Sequence, residues 1–168
     1  MTTGFVGTPH ILHALSENGC VDTAYDLLLQ EKSPSWLFSV NMGATTIWEH
    51  WDGMREDKTF WSTDMNSFNH YAYGAVYDWM FGVMVGIDIP ENSTAYREIT
   101  FTPHPERRIG FAKASVETEL GRISGGWSYV DENTVRYELD VPEGVKAAVR
   151  IEGKKEFSVS GGKYTFVV

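Results

Sequence analysis

The spacing of apolar residues changes once along this chain, between Gly86 and Asn92. Before this stretch, apolar residues recur every three or four positions, which is the period of a helix with one buried face. After it, short segments alternate apolar and polar residues, as strands do, and turn residues separate them. This change of period predicts an α+β chain in two parts, with a helical part over 1–89 and a β part over 90–168.

Three helices are predicted in the front part. The first, Thr8–Glu17, begins at a Thr-Pro pair, where a hydroxyl can cap the helix and proline fits the first turn. The second covers Val21–Gln30 and ends before Ser33-Pro34. The third, Phe68–Val85, is apolar on nearly every side, so it must be buried all round. Two short helices cannot cover it, and the front part is therefore expected to be incomplete as a domain.

Seven short strands are predicted in the rear part. Turn residues such as Glu143-Gly144 and Gly161-Gly162 separate the alternating segments and are typical of hairpins. Hairpins in series predict an antiparallel β-sandwich. The seven segments are Glu98–Thr102, Lys113–Glu119, Gly126–Val130, Thr134–Leu139, Ala147–Ile151, Phe157–Ser160 and Tyr164–Val168.

Composition and charge exclude several classes of function. A hydrophobic fraction of 42% is that of a folded protein rather than a disordered one. The net charge of -9 argues against a nucleic-acid partner, which would need a basic surface. No apolar run reaches membrane-spanning length, and the first residues, MTTGFVGTPH, lack a secretion signal, so we expect a soluble protein without a membrane partner. The single cysteine, Cys20, excludes an internal disulfide and leaves cytoplasm and periplasm both open.

The stretch at 43–53, GATTIWEHWDG, places two indoles, two carboxylates and an imidazole between glycines. An aromatic ring face covers the apolar face of a sugar ring, and acids bind its hydroxyls, so Trp48, Trp51 and Asp52 are candidate substrate-binding residues. Glu49 lies between the indoles and is a candidate general acid or base. The alternative is that the indoles cover the open ends of the helices and that Glu49 is a structural or solvated loop residue.

Histidine and cysteine residues offer further candidates. His70 lies at the start of the third predicted helix, where the helix dipole favours a neutral ring that can bond a base or a sugar hydroxyl. The alternative is a structural histidine. His10 and His13 share a helix face without an obvious third ligand, so no metal site is predicted. Cys20 has no lysine or arginine nearby and is expected to be a small buried residue.

Five segments of the chain form a recognisable series. In chain order they read GFVGTP at 4–9, YDLLLQ at 25–30, PSWL at 34–37, GATTIWEHWDG at 43–53 and MNSFNHYAYGAV at 65–76. This series resembles the last part of the bacterial α-L-rhamnosidases, and the fourth and fifth segments together are specific to it. The resemblance covers essentially the whole chain. It implies an inverting glycoside hydrolase whose six-hairpin (α/α) barrel ends in these helices and is followed by a C-terminal β-sandwich; no cofactor is expected.

The resemblance also implies roles for individual residues. Glu49 takes the place of the general base that activates water, and His70 takes a place in the sugar pocket. The indoles of Trp48 and Trp51 then form walls of a sugar subsite. His50 departs from the family pattern, which more often has arginine after the IWE motif, and this changes a local ion pair without removing the base.

One part of the implied machinery is missing. Inversion needs a second carboxyl group as acid, across the sugar from the base. In the family this acid comes from an earlier part of the barrel, so we expect a C-terminal fragment that is inactive alone. It would act on rhamnose-containing glycosides or polysaccharides and would associate with the missing barrel portion or with itself. The alternatives are an inert remnant or a carbohydrate-binding β-sandwich that uses Trp127 and Tyr129 as its platform, although tryptophan in a sandwich is more often a core residue.

Overall fold

The computed structural model describes residues 3–168, which divide into two compact units, one ending at Trp79 and the other beginning at Met80. The helical unit contains four α-helices and one 3₁₀ turn. These are α1 (Thr8–Glu17), α2 (Val21–Leu28), α3 (Trp36–Asn41), the 3₁₀ turn (Ala72–Ala75) and α4 (Val76–Trp79). None of the helices in this part of the chain or in the rest of the described residues is long and apolar enough to cross a membrane.

The first two helices follow the predicted pattern. α1 has the predicted bounds, but its N-cap is Gly7, and the hydroxyl of Thr8 donates to the carbonyl of Gly4 at 2.9 Å instead of capping the helix. α2 ends two residues early, at Leu28. The helical unit buries Leu12 of α1, Tyr25 of α2 and Trp79 of α4, each at most 2% exposed. The indole N–H of Trp79 donates to Ser16 Oγ at 2.9 Å, so this buried donor is satisfied.

The third helix, α3, was not predicted. It begins after Ser35, whose hydroxyl accepts the Phe38 amide at 3.1 Å and so caps the first turn. The serine is completely buried. Cys20, predicted to be buried, is instead exposed at the start of α2.

The prediction of one long helix over Phe68–Val85 is wrong. Residues 68–71 are not helical, and the segment that follows is divided among the 3₁₀ turn, α4 and a π-helical turn, Met80–Val85, that belongs to the second unit. The backbone just before Tyr71 bonds to a distant segment instead of forming a helical turn, since the His70 amide donates to the carbonyl of Ile47 at 2.8 Å. Pairing with a distant segment therefore overrides the local helical pattern here.

The β unit is a curled six-stranded sheet. Its strands are β1 (Ile87–Asp88), β2 (Glu98–Phe101), β3 (Phe111–Thr118), β4 (Gly121–Tyr129), β5 (Val135–Val149) and β6 (Phe157–Val167). Their order is β1-β2-β5-β4-β3, and β6 pairs with β5. All pairs are antiparallel except β2 with β5, which is parallel. The predicted fold class, helices followed by a β domain, is confirmed.

Two pairs of segments that were predicted to form hairpins are each one continuous strand. The segments at 134–139 and 147–151 join in β5, and the predicted turn at Glu143-Gly144 is a register shift between Val141 and Lys146. Gly144 has a φ of 83° at this irregularity, a conformation that glycine adopts without strain. The segments at 157–160 and 164–168 likewise join in β6.

One face of the sheet forms the core of the β unit. Trp127 is 3% exposed, and its indole N–H donates to the carbonyl of Met84 at 2.7 Å. Gly86 lies against Pro103 so closely that a Cβ would be 2.2 Å from the proline nitrogen, and its φ is 87°, so only glycine fits. The indole of Trp127 is therefore part of the core of the β unit.

Candidate active site

Two sequence motifs lie side by side in the helical unit. The Glu49 amide donates to the carbonyl of Ser67 at 2.9 Å, and the His70 amide donates to the carbonyl of Ile47 at 2.8 Å. The hydroxyl of Thr46 also donates to the carbonyl of Phe68. These bonds join the segment 46–49 to the segment 67–70, and they place the two candidate residues, Glu49 and His70, on neighbouring backbones.

The carboxylate of Glu49 is partly buried beside an imidazole. Its side chain is 22% exposed, and Oε1 lies 4.0 Å from Nε2 of His50. The His50 ring stacks on the indole of Trp61, with centroids 3.7 Å apart and planes 17° apart. Glu49 therefore has both a neighbouring imidazole and access to solvent, and a residue that exchanges protons with a bound water requires such access.

The ring of His70 is held in one orientation. Its Nδ1 accepts the Ala72 amide at 3.3 Å, which requires the ring proton to be on Nε2. The ring stacks against Phe5 at 4.8 Å and against Tyr71 at 5.5 Å. His70 can therefore offer one hydrogen-bond donor, Nε2–H. It lies ahead of the 3₁₀ turn rather than at the start of a long helix.

The two predicted sugar-stacking indoles are engaged within the protein. Trp48 is 6% exposed and meets the ring of Phe68 edge-on at 5.1 Å. Trp51 stacks on Tyr73 at 3.8 Å and donates its indole N–H to the carbonyl of Thr3 at 3.2 Å. The cavity beside both indoles measures about 10 Å³, too small for a sugar ring. This geometry favours the packing alternative for Trp48.

Asp52 lies in the turn that follows. Its Oδ2 is 4.0 Å from Nε of Arg55, and its side chain is 44% exposed. The carboxylate is thus available to solvent, and its part in sugar binding stays a prediction.

A hairpin-like loop after Gly53 presents residues that sequence reasoning did not select. Met54 and Phe60 form an isolated antiparallel bridge, and the Trp61 amide donates to the carbonyl of Gly53 at 3.1 Å. The hydroxyl and amide of Thr59 bond the carboxylate of Asp57, which lowers the pKa of that carboxyl group. The loop leaves the Trp61 indole 42% exposed. An aromatic pair directly after a polar turn, at 60–61, was the available signal.

Within residues 3–168, the structure contains no cluster of three histidine, cysteine, aspartate or glutamate side chains that could hold a metal ion. Nε2 of His13 lies 3.0 Å from Oδ2 of Asp78, which joins α1 to α4. The alternative platform at Trp127 is wrong because this indole is buried in the β core. Tyr129 is half-buried, and the guanidinium of Arg107 lies 4.8 Å above its ring.

Comparison with known families agrees with this division of the chain. Residues 1–84 match the bacterial alpha-L-rhamnosidase 6 hairpin glycosidase domain, and residues 86–166 match the bacterial alpha-L-rhamnosidase C-terminal domain. The chain belongs to the bacterial α-L-rhamnosidase family. The predicted domain boundary at 89/90 lies a few residues after the boundary between the two matches.

Several individual α-L-rhamnosidases resemble this chain. The protein from Formosa agariphila is 38% identical over 90% of the chain, and the one from Streptomyces avermitilis is 36% identical over 99%. In each case the chain spans 16% of the relative's length. Two crystal structures cover the whole chain: the S. avermitilis α-L-rhamnosidase complexed with L-rhamnose (33% identity, TM-score 0.91) and the Aspergillus terreus enzyme (32%, 0.93). The chain covers 18% and 20% of these two structures.

Proposed function

We propose that this chain supplies the general base of an α-L-rhamnosidase that removes terminal α-L-rhamnosyl units with inversion. Glu49 is the base, and His70 binds the sugar beside it. The observation that carries the proposal is the pairing of the segment 46–49 with the segment 67–70, because it places the two motif residues on adjacent backbones. The rhamnosidase family supports the choice of substrate.

In the proposed reaction, Glu49 takes a proton from a water molecule while the water oxygen attacks the anomeric carbon. The new C–O bond forms on one face of the sugar as the glycosidic C–O bond breaks on the other. The leaving oxygen takes a proton from a carboxylic acid about 6.5–9.5 Å from the base. The partial exposure of Glu49 leaves an approach for the water.

His70 has a separate proposed role. The Nδ1 atom of His70 accepts the Ala72 amide. The Nε2–H group on the other side of the ring is therefore the donor that is available to a sugar hydroxyl. Loss of this donor weakens sugar binding and turnover together.

The acid is proposed to come from another part of a complete enzyme. Asp52, Glu56, Asp57 and Asp64 are the carboxylates that follow Glu49 most closely along the chain, and nothing in the family resemblance gives them this role. General acid and general base steps each contribute about 10²–10⁴-fold to a rate. We therefore propose that this chain alone does not hydrolyse rhamnosides at a useful rate.

An activated aryl α-L-rhamnoside tests the proposal because its leaving group needs little help from an acid. Because the chain spans only 16% of its relatives' length and so lacks much of the proposed sugar pocket, it alone is expected to cleave even this substrate only slowly. In a complete homologous enzyme that carries this segment, Glu49→Gln should abolish turnover while preserving rhamnose binding, and His70→Ala should weaken both. Glu56→Gln is the matched control and should leave both unchanged.

Two results would change the assignment. Robust cleavage by the chain alone that is lost on Glu49→Gln would show that a local carboxylate or an oligomer supplies the acid. Cleavage that persists in Glu49→Gln would overturn the assignment of the base.

A further inference from the structure

A polar groove lies on the solvent face of the β unit, opposite the core that contains Trp127. It has a volume of about 710 Å³ and runs across β3, β4, β5 and β6. Three strand spacings of about 4.8 Å make it roughly 14 Å wide. The side chains on this face alternate along each strand with the buried ones, for example Ser124 and Ser128 with Ile123 and Trp127 on β4.

A glycine forms the floor of this groove. Gly126 pairs with Lys113 of β3 on one side and with Glu138 of β5 on the other. A Cβ at this position would be 2.5 Å from the Ala112 carbonyl oxygen and 2.7 Å from the Lys113 Cβ. No side chain can therefore fill the middle of the groove, which stays open between a lysine and a glutamate.

The charges in the groove are nearly balanced, and most have a partner within it. Nζ of Lys163 lies 3.4 Å from Oδ2 of Asp140, and Nη2 of Arg122 donates to Ser115 Oγ at 2.8 Å. Within the described residues, no ion pair engages Lys113 or Glu138. The floor is therefore flanked by one strong donor and one strong acceptor that are both free to bind a ligand.

An aromatic ring marks one end of the groove. Phe111, at the start of β3, is 61% exposed and pairs with Ser128. An exposed aromatic side chain beside hydroxyls and a donor–acceptor pair is the combination that recognises a sugar, since the ring covers apolar C–H groups while the polar groups bind adjacent hydroxyls.

We infer that this groove binds a neutral oligosaccharide, and that its rings lie over Gly126 with their hydroxyls between Lys113 and Glu138. Near-balanced charge favours a ligand without net charge, because an anion would lie beside Glu138 and a cation beside Lys113. The groove is wider than one sugar ring, so two or more rings are bound. The choice of α-linked L-rhamnosyl units rests on the proposed function; the groove itself does not depend on Glu49.

The experiment is an amide NMR titration of the ¹⁵N-labelled chain with an α-linked L-rhamnose trisaccharide. Shift changes are expected at residues 124–128 and at Lys113 and Glu138. Phe111→Ala and Glu138→Gln should each raise the dissociation constant about fivefold or more, which corresponds to one lost contact. The controls are Glu91→Gln and Lys155→Gln, exposed residues outside the groove that should change it less than twofold. The unbound spectra verify that each variant is folded.

The outcomes separate this inference from the proposed active site. Shift changes confined to the segments 46–49 and 67–70 would support the active site and overturn the groove. Changes confined to the groove would support the groove and count against the sugar pocket at His70. The groove assignment is also wrong if the trisaccharide causes no shift changes, or if Phe111→Ala and Glu138→Gln bind it as well as the two controls do.

Discussion

The two units of this chain differ in how far their large apolar side chains are exposed to solvent. In the β unit, Ile99, Phe101 and Val149 are at most 1% exposed, and one face of the sheet closes over them. In the helical unit, Val6 and Tyr71 are 87% and 88% exposed. Among the residues that the structure describes, nine of the thirteen exposed large apolar side chains precede Trp79. The helical unit therefore carries apolar surface that it does not cover itself.

This difference follows from the architecture that each unit belongs to. A closing piece of an (α/α) barrel is surrounded by other helices, so its apolar positions face more than one direction. A β domain with a single buried face can close its own core. The unit with the candidate catalytic residues thus exposes more of its large apolar side chains than the β unit does.

The largest expected effect concerns the core of the β unit. Leu139 on β5 is 2% exposed, and Leu139→Ala should lower the free energy of unfolding of this unit by about 3 kcal/mol. Val40→Ala in the helical unit is the control, because Val40 is 56% exposed and its truncation should cost less than about 0.5 kcal/mol. Hydrogen exchange in denaturant measures each cost in its own unit, at β5 amides for Leu139→Ala and at α3 amides for Val40→Ala. Equal costs would mean that the surface around Val40 is covered.

The second effect is a loss of stability of the β unit at alkaline pH. Burial raises the pKa of Tyr137 from 10.0 to about 12. The neutral phenol stabilises the β unit fully below pH 10, and this stability is lost as pH rises toward 12, because the unfolded chain ionises first. Phenylalanine has no phenol to ionise, so in Tyr137→Phe the free energy of unfolding should fall by up to about 2 kcal/mol less in alkali than it does in the unchanged chain. Chemical denaturation at pH 8 and pH 11 checks it; an unchanged pH dependence in the variant would contradict the assignment.

The third effect concerns association. Because the helical unit exposes apolar side chains, we expect the chain to self-associate. The double variant Val6→Ser, Val40→Ser should raise the dissociation constant about tenfold, or about 1.4 kcal/mol. Val130→Ser, at a site in the β unit that is 50% exposed, should leave it unchanged. Sedimentation velocity over a concentration series measures this. A monomer at every concentration would show that the exposed apolar surface does not drive association.

The smallest effect tests how the helical unit is held locally. Ser35→Ala removes the hydroxyl that caps α3 and should cost about 1 kcal/mol. Cys20→Ala is the matched control because Cys20 precedes α2 in the same position and makes no capping bond. Thermal unfolding of the two variants compares them directly. A cost for Cys20→Ala similar to that for Ser35→Ala would remove capping as the cause.

Sequence reasoning recovered the elements whose structure is decided locally. The Thr-Pro start predicted α1 with its observed bounds, and the change of period predicted the β part. The helix over Phe68–Val85 failed because the backbone of residues 67–70 pairs with residues 46–49, and no local pattern encodes a contact over 20 positions. β5 was divided in two because Gly144, a turn residue by composition, lies within a bulged strand.

The candidate site shows the same limit. Glu49 and His70 were selected from motifs, and their adjacency could not be read from spacing. Trp48 was selected for its chemistry, and burial against Phe68 explains its presence at least as well. The sequence does not indicate a role for Trp61, because its partner, His50, lies eleven positions away and only the folded loop brings the two rings together.

The parallel pairing of β2 with β5 also governs when this chain can fold during its synthesis. Glu98 pairs with Lys146, so 48 positions separate them in the sequence. At about 5–20 residues per second, a ribosome needs roughly 2–10 s to make that interval, and the end of β5 must then clear the exit tunnel. Throughout that time β2 can pair only with the two-residue strand β1, and Ile99 and Phe101, at most 1% exposed once folded, lack their β5 neighbour. The nascent chain therefore presents a short apolar segment to chaperones well before its β unit can close.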